Sequence, residues 1–285
     1  MKYGVIDIGS NSVRLLISEN GITLKKSLNT TRLAEDKKDG FLSEKPSLRT
    51  LNAVLCFVDE AKAERVDKIY IFATAAVRNA VNGKSFALAL EKACGIKVDI
   101  VPGETEAVLG YKGALKDKDG AVLDIGGGST EVAVVKDGKC VYAKSLPIGA
   151  VVLTDKFGQD SVAVRNFVKN QVAFYGVIPN ADFYCIGGTC TSLAAVSLKL
   201  AVYDAERVDG YKLTRDEISR LANAISALSV EDRKGLAGLQ KERADIIHAG
   251  AIILDEIAKY TGVDYFTVSD SDNLEGYLRY VTERK

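Results

Sequence analysis

The 285-residue chain has a single histidine, and that scarcity excludes a good deal of chemistry. His248 alone cannot build a multi-histidine metal centre, and it argues against a Ser-His-Asp triad. It falls within a helical apolar pattern, so it reads as a packed histidine rather than a ligand. The five cysteines are an odd number with no Cys-x-x-Cys pair, which gives no disulfide frame. Cys56, Cys94, Cys140, Cys185 and Cys190 read as buried thiols of a reducing cytosol. No apolar run approaches the roughly 18 residues of a membrane span. No signal peptide opens the chain, since Met1-Lys2 leads straight into strand-like sequence, and the expected location is the cytoplasm. Charge of one sign is also missing: 38 Lys and Arg balance 38 Asp and Glu. A globally basic nucleic-acid binder is thereby excluded, and there is no aromatic-basic stripe for single strands. No Gly-x4-Gly-Lys-Ser/Thr P-loop occurs.

What is present is a repeated turn. Val5-Ile6-Asp7-Ile8-Gly9-Ser10-Asn11-Ser12 and Val122-Leu123-Asp124-Ile125-Gly126-Gly127-Gly128-Ser129 are both apolar strands ending in Asp-Ile-Gly, followed by small polar residues. Aligned on the aspartates, Gly9 matches Gly126 and Ser12 matches Ser129. The hydrophobic fraction of 47% is ample for a core, and the length allows one large domain or two medium ones.

The predicted elements repeat as well. Strands at 2–8, Val13–Glu19 and Ile22–Thr31 form hairpins, with Asn20-Gly21 as a tight turn. A polar loop leads to a helix at Pro46–Arg65 and a strand at Lys68–Ala73. Helices follow near Ala75–Ala80 and Lys84–Cys94, then a strand at Val98–Val101 and a helix from Gly103 to about Leu115. The order restarts with strands at Ala121–Ile125, Thr130–Lys136 and Lys139–Leu146, the last two joined by Asp137-Gly138. Helices are expected at Ser161–Tyr175, Thr189–Leu200, Leu213–Leu228, Arg243–Tyr260 and Asn273–Val281, with strands at Phe183–Ile186 and Tyr265–Val268. Three hairpin strands followed by alternating helices and strands resemble a ribonuclease-H-like unit. The fold expected is therefore α/β, two ribonuclease-H-like domains of the actin-like ATPase kind flanking a cleft. They divide as 1–118 and 119–285, at the short charged connection Lys116–Gly120.

Glycines let phosphate oxygens approach backbone N–H groups, which is what Gly126, Gly127 and Gly128 offer, with Ser129 and Thr130 as hydroxyl donors. Asp124, at the strand end, can hold Mg²⁺. Taken alone, this turn reads as a plain hairpin with a glycine bulge; its counterpart at Asp7–Ser12 turns the reading to phosphate. Gly103-Glu104-Thr105-Glu106 opens a helix, where glutamates suit the macrodipole. In a cleft, the same carboxylate could orient and deprotonate water. Arg78 is either a phosphate contact or a surface arginine. Gly187-Gly188-Thr189 is either an anion site at a helix N-terminus or a capped turn.

Together these segments closely resemble the exopolyphosphatase/guanosine pentaphosphate phosphatase family over almost the whole chain. The markers are Asp7–Arg14, Ala73–Arg78, Gly103 with Glu106-Ala107, Asp124–Glu131, Leu146–Gly149, Gly187–Thr189 and Leu239–Asp245. The resemblance implies Mg²⁺-dependent release of terminal phosphate from inorganic polyphosphate or guanosine pentaphosphate. It makes Glu106 the base, Asp124 the metal-associated aspartate, and Asp7 and Glu131 further acidic residues at the metal. Ser10, Asn11, Ser12 and Arg14 match the first phosphate loop, and Gly126 to Ser129 the second. Thr74 and Arg78 match cleft residues near the phosphates, and Gly188 and Thr189 lie in the later glycine turn. A homodimer and a short two-domain form without an appended helical domain are also implied. The chain departs from the family where relatives often carry arginine, at Val152, and where they read Gly-Leu-Arg, at Asp272-Asn273-Leu274. Missing cations there weaken the expectation of affinity for long polyanions. A phosphotransferase on the same fold and a non-enzymatic alarmone sensor are the alternatives.

Overall fold

A computed structural model describes residues 1–116 and 118–283. The chain opens with a meander of β1 (Lys2–Ile8), β2 (Ser12–Glu19) and β3 (Ile22–Thr30). It continues through α1 (Glu44–Ala63), β4 (Lys68–Ala73), α2 (Ala75–Arg78), α3 (Gly83–Cys94), β5 (Val98–Ile100) and α4 (Gly103–Ala114). The sheet order is β3-β2-β1-β4-β5, with β1, β4 and β5 parallel. A second meander follows: β6 (Gly120–Ile125), β7 (Thr130–Lys136) and β8 (Lys139–Leu146). Then come α5 (Ala150–Phe157), α6 (Ser161–Val172), β9 (Phe183–Ile186), α7 (Gly187–Ser197), α8 (Ala205–Val208) and β10 (Lys212–Thr214). The chain ends with α9 (Arg215–Ala227), α10 (Val230–Lys234), α11 (Ile247–Thr261), β11 (Tyr265–Val268) and α12 (Asn273–Glu283).

The second sheet runs β10-β11-β9-β6-β7-β8. Without its antiparallel edge strand β10, it repeats the first sheet element for element. The registers repeat too: Asp7 stands opposite Arg14 across β1 and β2, and Asp124 opposite Glu131 across β6 and β7. Both hairpins turn as their sequences demand, with positive φ at Asn20, Gly21, Asp137 and Gly138.

Alternation along the strands decides what each face touches. In the first sheet, Ile6, Ile8, Leu15, Ile71 and Ala73 point into the core under α1 and α3. Val5, Leu16 and Phe72 point the other way and meet Leu109 of α4 and Leu274, Tyr277 and Leu278 of α12. Phe72 and Tyr277 stack with centroids 4.4 Å apart. At its far end, α4 places Leu115 against Val122 and Ile186 of the second sheet. The pair α4 and α12 is thus wedged between the sheets. The chain passes from one sheet to the other between Leu115 and Gly120, and back between Val268 and Asn273. The connection expected at Lys116–Gly120 includes residue 117, which lies outside the described residues.

Three sequence expectations need correction. The helix expected from Leu213 begins only at Arg215; Leu213 and Thr214 belong to β10, which pairs antiparallel with Tyr265–Thr267. Helix α6 stops at Val172, and residues 173–175 tighten into a 3₁₀ turn. Cys56 and Cys140 are exposed rather than buried, while Cys185 and Cys190 are buried; all five are free thiols. No helix among the described residues is long and apolar enough to cross a membrane.

Candidate active site

Each turn closes on itself in the same way. Gly9 N–H donates to Ser12 O at 3.0 Å, and Gly126 N–H donates to Ser129 O at 3.0 Å. The two turns face each other across a cleft enclosing about 80 Å³. Their approach is close: a side chain at Gly128 would overlap Ser10 Oγ and come within 3.0 Å of Ala75 Cβ. Helix α5 locks the second turn from behind, with Ala150 N–H donating to Gly126 O at 3.0 Å and Val151 N–H to Gly127 O at 2.9 Å.

The cleft gathers most of the residues that the sequence singles out. Asp7, Ser10, Asn11, Ser12 and Arg14 form one wall, and Asp124 and Gly126 to Ser129 the other. Thr74, Glu106, Gly188 and Thr189 complete the lining. Arg78 and Glu131 stand just behind it. Arg78 Nη1 donates to Glu106 Oε2 at 2.6 Å and to Val101 O at 2.8 Å. Glu131 is 1% exposed, and Ser145 Oγ donates to its Oε1 at 2.6 Å.

The electrostatics follow from four carboxylates buried within reach of one another. Burial pushes Glu106 up to about 7; Arg78 opposes the shift, while the charges of Asp124 and Asp7 add to it. Burial and the charge of Asp272 push Asp124 up to about 6, against Arg14 and the amide of Asn273. Burial, then Glu106 and Asp124, holds Glu131 well above the usual carboxylate range. Burial also raises Asp7, although Arg14 pulls the other way. Accumulating like charges in a dry site is costly unless a cation shares it.

Arg14 is one such cation. Its Nη2 lies 2.5 Å from Asp7 Oδ2, and its Nη1 pairs with Asp272 from the far side of the cleft. Asn273 Nδ2 donates to Asp124 Oδ2 at 2.6 Å. Even so, Asp7 Oδ1, Glu131 Oε2 and both amide atoms of Asn11 are buried without a hydrogen-bond partner. Unsatisfied buried polar atoms are expensive, and several in and just behind one cleft suit a polar ligand or cation there.

Three residues in or beside the cleft escaped sequence reasoning. Asp272 and Asn273 belong to the segment where the family pattern is lost, so the motif assigned them no role. Arg243, whose guanidinium covers Gly188, lies within the recognised segment Leu239–Asp245. Nothing in one sequence says that it reaches a turn some 55 residues earlier. Gly187 is a fourth. It has φ +83°, and a Cβ there would stand 2.6 Å from Asp124 Oδ1, so only glycine fits both the backbone and the carboxylate.

Comparison with known proteins shows the family. The profile of the Ppx/GppA phosphatase family matches residues 17–280. The chain belongs to the Ppx/GppA phosphatase family. A bifunctional 3-dehydroquinate synthase/phosphatase of Fusobacterium nucleatum is 33% identical over 312 residues, covering 98% of this chain and 46% of that protein. Exopolyphosphatase 2 of Mycobacterium tuberculosis is 26% identical over 309 residues, covering 96% and 97%. A guanosine-5'-triphosphate,3'-diphosphate pyrophosphatase of Photobacterium profundum is 29% identical over 294 residues, covering 97% and 58%. The chain thus spans about half the length of two of these Ppx/GppA relatives. The Aquifex aeolicus PPX-GPPA enzyme superposes with a TM-score of 0.81 at 30% identity, covering 98% of both chains.

Proposed function

We propose that this Ppx/GppA family member hydrolyses a terminal phosphoanhydride bond, releasing phosphate from inorganic polyphosphate or guanosine pentaphosphate. The observation that carries the reading is Glu106: a carboxylate pushed up to about 7, lining the same cleft as two facing anion-binding turns. A base of that strength accepts a proton from water effectively near neutral pH.

The terminal phosphoryl group sits between the turns, with the Gly126–Ser129 amides and the Ser10 and Ser12 hydroxyls directed at its oxygens. Water attacks phosphorus in line and passes a proton to Glu106. The bridging P–O bond breaks, and the shortened phosphate chain leaves with that oxygen. Arg78 fixes one carboxylate oxygen of Glu106 and leaves the other for water. Arg14 and Arg243 are the cations in the cleft wall available to the departing chain.

Mg²⁺ would be held at Asp124, with Asp7 and Glu131 as the nearby acidic residues. The unpartnered oxygens on Asp7 and Glu131 suit a hard cation. Among the described residues, no three His, Cys, Asp or Glu side chains converge to hold a metal by themselves. Substrate phosphate oxygens would therefore complete the shell, as they commonly do for Mg²⁺. The bound ion supplies charge neutralisation on those oxygens.

The test is phosphate release from short polyphosphate, long polyphosphate and guanosine pentaphosphate under Mg²⁺, with and without ADP. Wild type releases phosphate without ADP, and Glu106→Gln stays folded and loses about a hundredfold or more. Full turnover in the Gln variant removes Glu106 from the role. Strict dependence on ADP makes the protein a phosphotransferase instead.

A further inference from the structure

Beside the cleft lies a wider cavity of about 420 Å³. The two share Arg14, Gly187, Gly188 and Arg243 in their walls. A phosphate chain whose end sits between the turns can extend through this shared opening.

The opening is poorly suited to a long polyanion. Arg14 is already matched twice, by Asp7 and by Asp272. Lys26, in the wall of the wider cavity, lies 2.8 Å from Glu275 and 3.2 Å from Asp270. Tyr203 spends its hydroxyl proton on Asp270 Oδ1 at 2.5 Å. Arg243 alone among these cations makes no ion pair within the described residues; its Nε donates only to Gln240 Oε1, at 3.1 Å. Past Arg243 the lining turns apolar, with Leu28, Leu200 and Leu239. One free guanidinium can serve one further phosphate. Each phosphate beyond that would meet Asp272 and Asp270 in a partly dry channel, where like charges repel strongly.

We propose that Asp272 sets substrate choice in the hydrolysis described above: by occupying Arg14 and facing the exit from the cleft, it admits a short phosphate chain, bare or capped by an organic group, and turns away long linear polyphosphate. The inference rests on the hydrolytic reading. It adds that an organic group, rather than more phosphate, fills the wider cavity. Asp272 acts through Arg14, so it is a positioning residue.

The experiment measures kcat and KM for tripolyphosphate, a long polyphosphate and guanosine pentaphosphate, using wild type, Asp272→Asn and Asp272→Glu, with thermal unfolding of each. Wild type favours the short substrates. Asp272→Asn lowers the KM for long polyphosphate by about tenfold relative to tripolyphosphate, and Asp272→Glu keeps the wild-type ratio. Raising ionic strength narrows the wild-type preference without any substitution, because screening weakens the repulsion. An unchanged ratio in the Asn variant, or a salt-insensitive wild-type ratio, overturns the proposal. If wild type hydrolyses nothing, the hydrolytic reading fails separately. Selection is then read from calorimetric binding of tripolyphosphate and long polyphosphate, and equal affinities overturn it there too.

Discussion

Arg78 and Glu106 work against each other: the guanidinium donates to the carboxylate at 2.6 Å, while burial pushes that same carboxyl up to about 7. The protein therefore holds its candidate base near the middle of its titration at neutral pH. Glu106 accepts a proton only when ionised, so activity rises as pH rises through about 7. Arg78→Ala removes the opposing cation, moves the midpoint upward and lowers kcat/KM at pH 7 by about tenfold. The check is the pH profile of kcat/KM for both proteins. A midpoint that moves downward, or not at all, breaks the link between the two residues.

Replacing Arg14 tests the charge balance of the cleft. Arg14→Met leaves Asp7 and Asp272 buried without their shared cation, at a cost of about 3 kcal/mol. Asp272→Asn in that background recovers part of the loss, because one uncompensated charge is gone. Urea unfolding of the two single variants and the double variant measures the coupling. Additive losses would mean that the pair does not interact.

Gly187→Ala should cost about 1–2 kcal/mol and also impair activity. The stability loss comes from the left-handed backbone. The activity loss comes from the new methyl group, which would press on Asp124 Oδ1. Unfolding midpoints and phosphate release report the two effects separately. A variant as stable and as active as wild type contradicts both.

His248 is fully buried, and burial with the neighbouring charge of Arg233 pushes its ring down from 6.5 to about 4. Its folded value lies below its unfolded value, so its contribution is intact above 6.5 and shrinks as pH falls toward 4. Compared with His248→Gln, wild type should lose about 1.4 kcal/mol for each pH unit within that window. Denaturant unfolding at several pH values gives the difference directly. Parallel curves for the two proteins would show that the ring titrates normally.

Much of this fold could be read from local patterning. Strand alternation, the Asn20-Gly21 and Asp137-Gly138 turns and the doubled Asp-Ile-Gly segment all lie within a few residues. They therefore carry their own physical signals. What escaped depends on distant partners. Helix α5 is β-branched at Val151, Val152 and Thr154, which weakens its helical signal. Its first amides are satisfied by Gly126 and Gly127, contacts no local window contains. Strand β10 has only three residues and exists through its pairing with β11. Within the cleft, Ser10, Glu106 and Asp124 sit in recognisable turns or at a helix start. Arg243 ends a short 3₁₀ turn, Asp272 precedes α12 and Asn273 opens it, and their local sequence gives no hint of where they point. Glu131 entered only through the family resemblance; its register opposite Asp124 and its burial behind the cleft come from the structure.

The return of the last helix to the first sheet has a mechanical consequence. Two covalent passages join the halves of the molecule, so any change in the angle between them must be absorbed at both, as with a door hung on two pins. One of those pins is the segment from Ser269 to Asn273, which also grips Arg14 and Asp124. Whatever loosens that grip loosens one of the two passages.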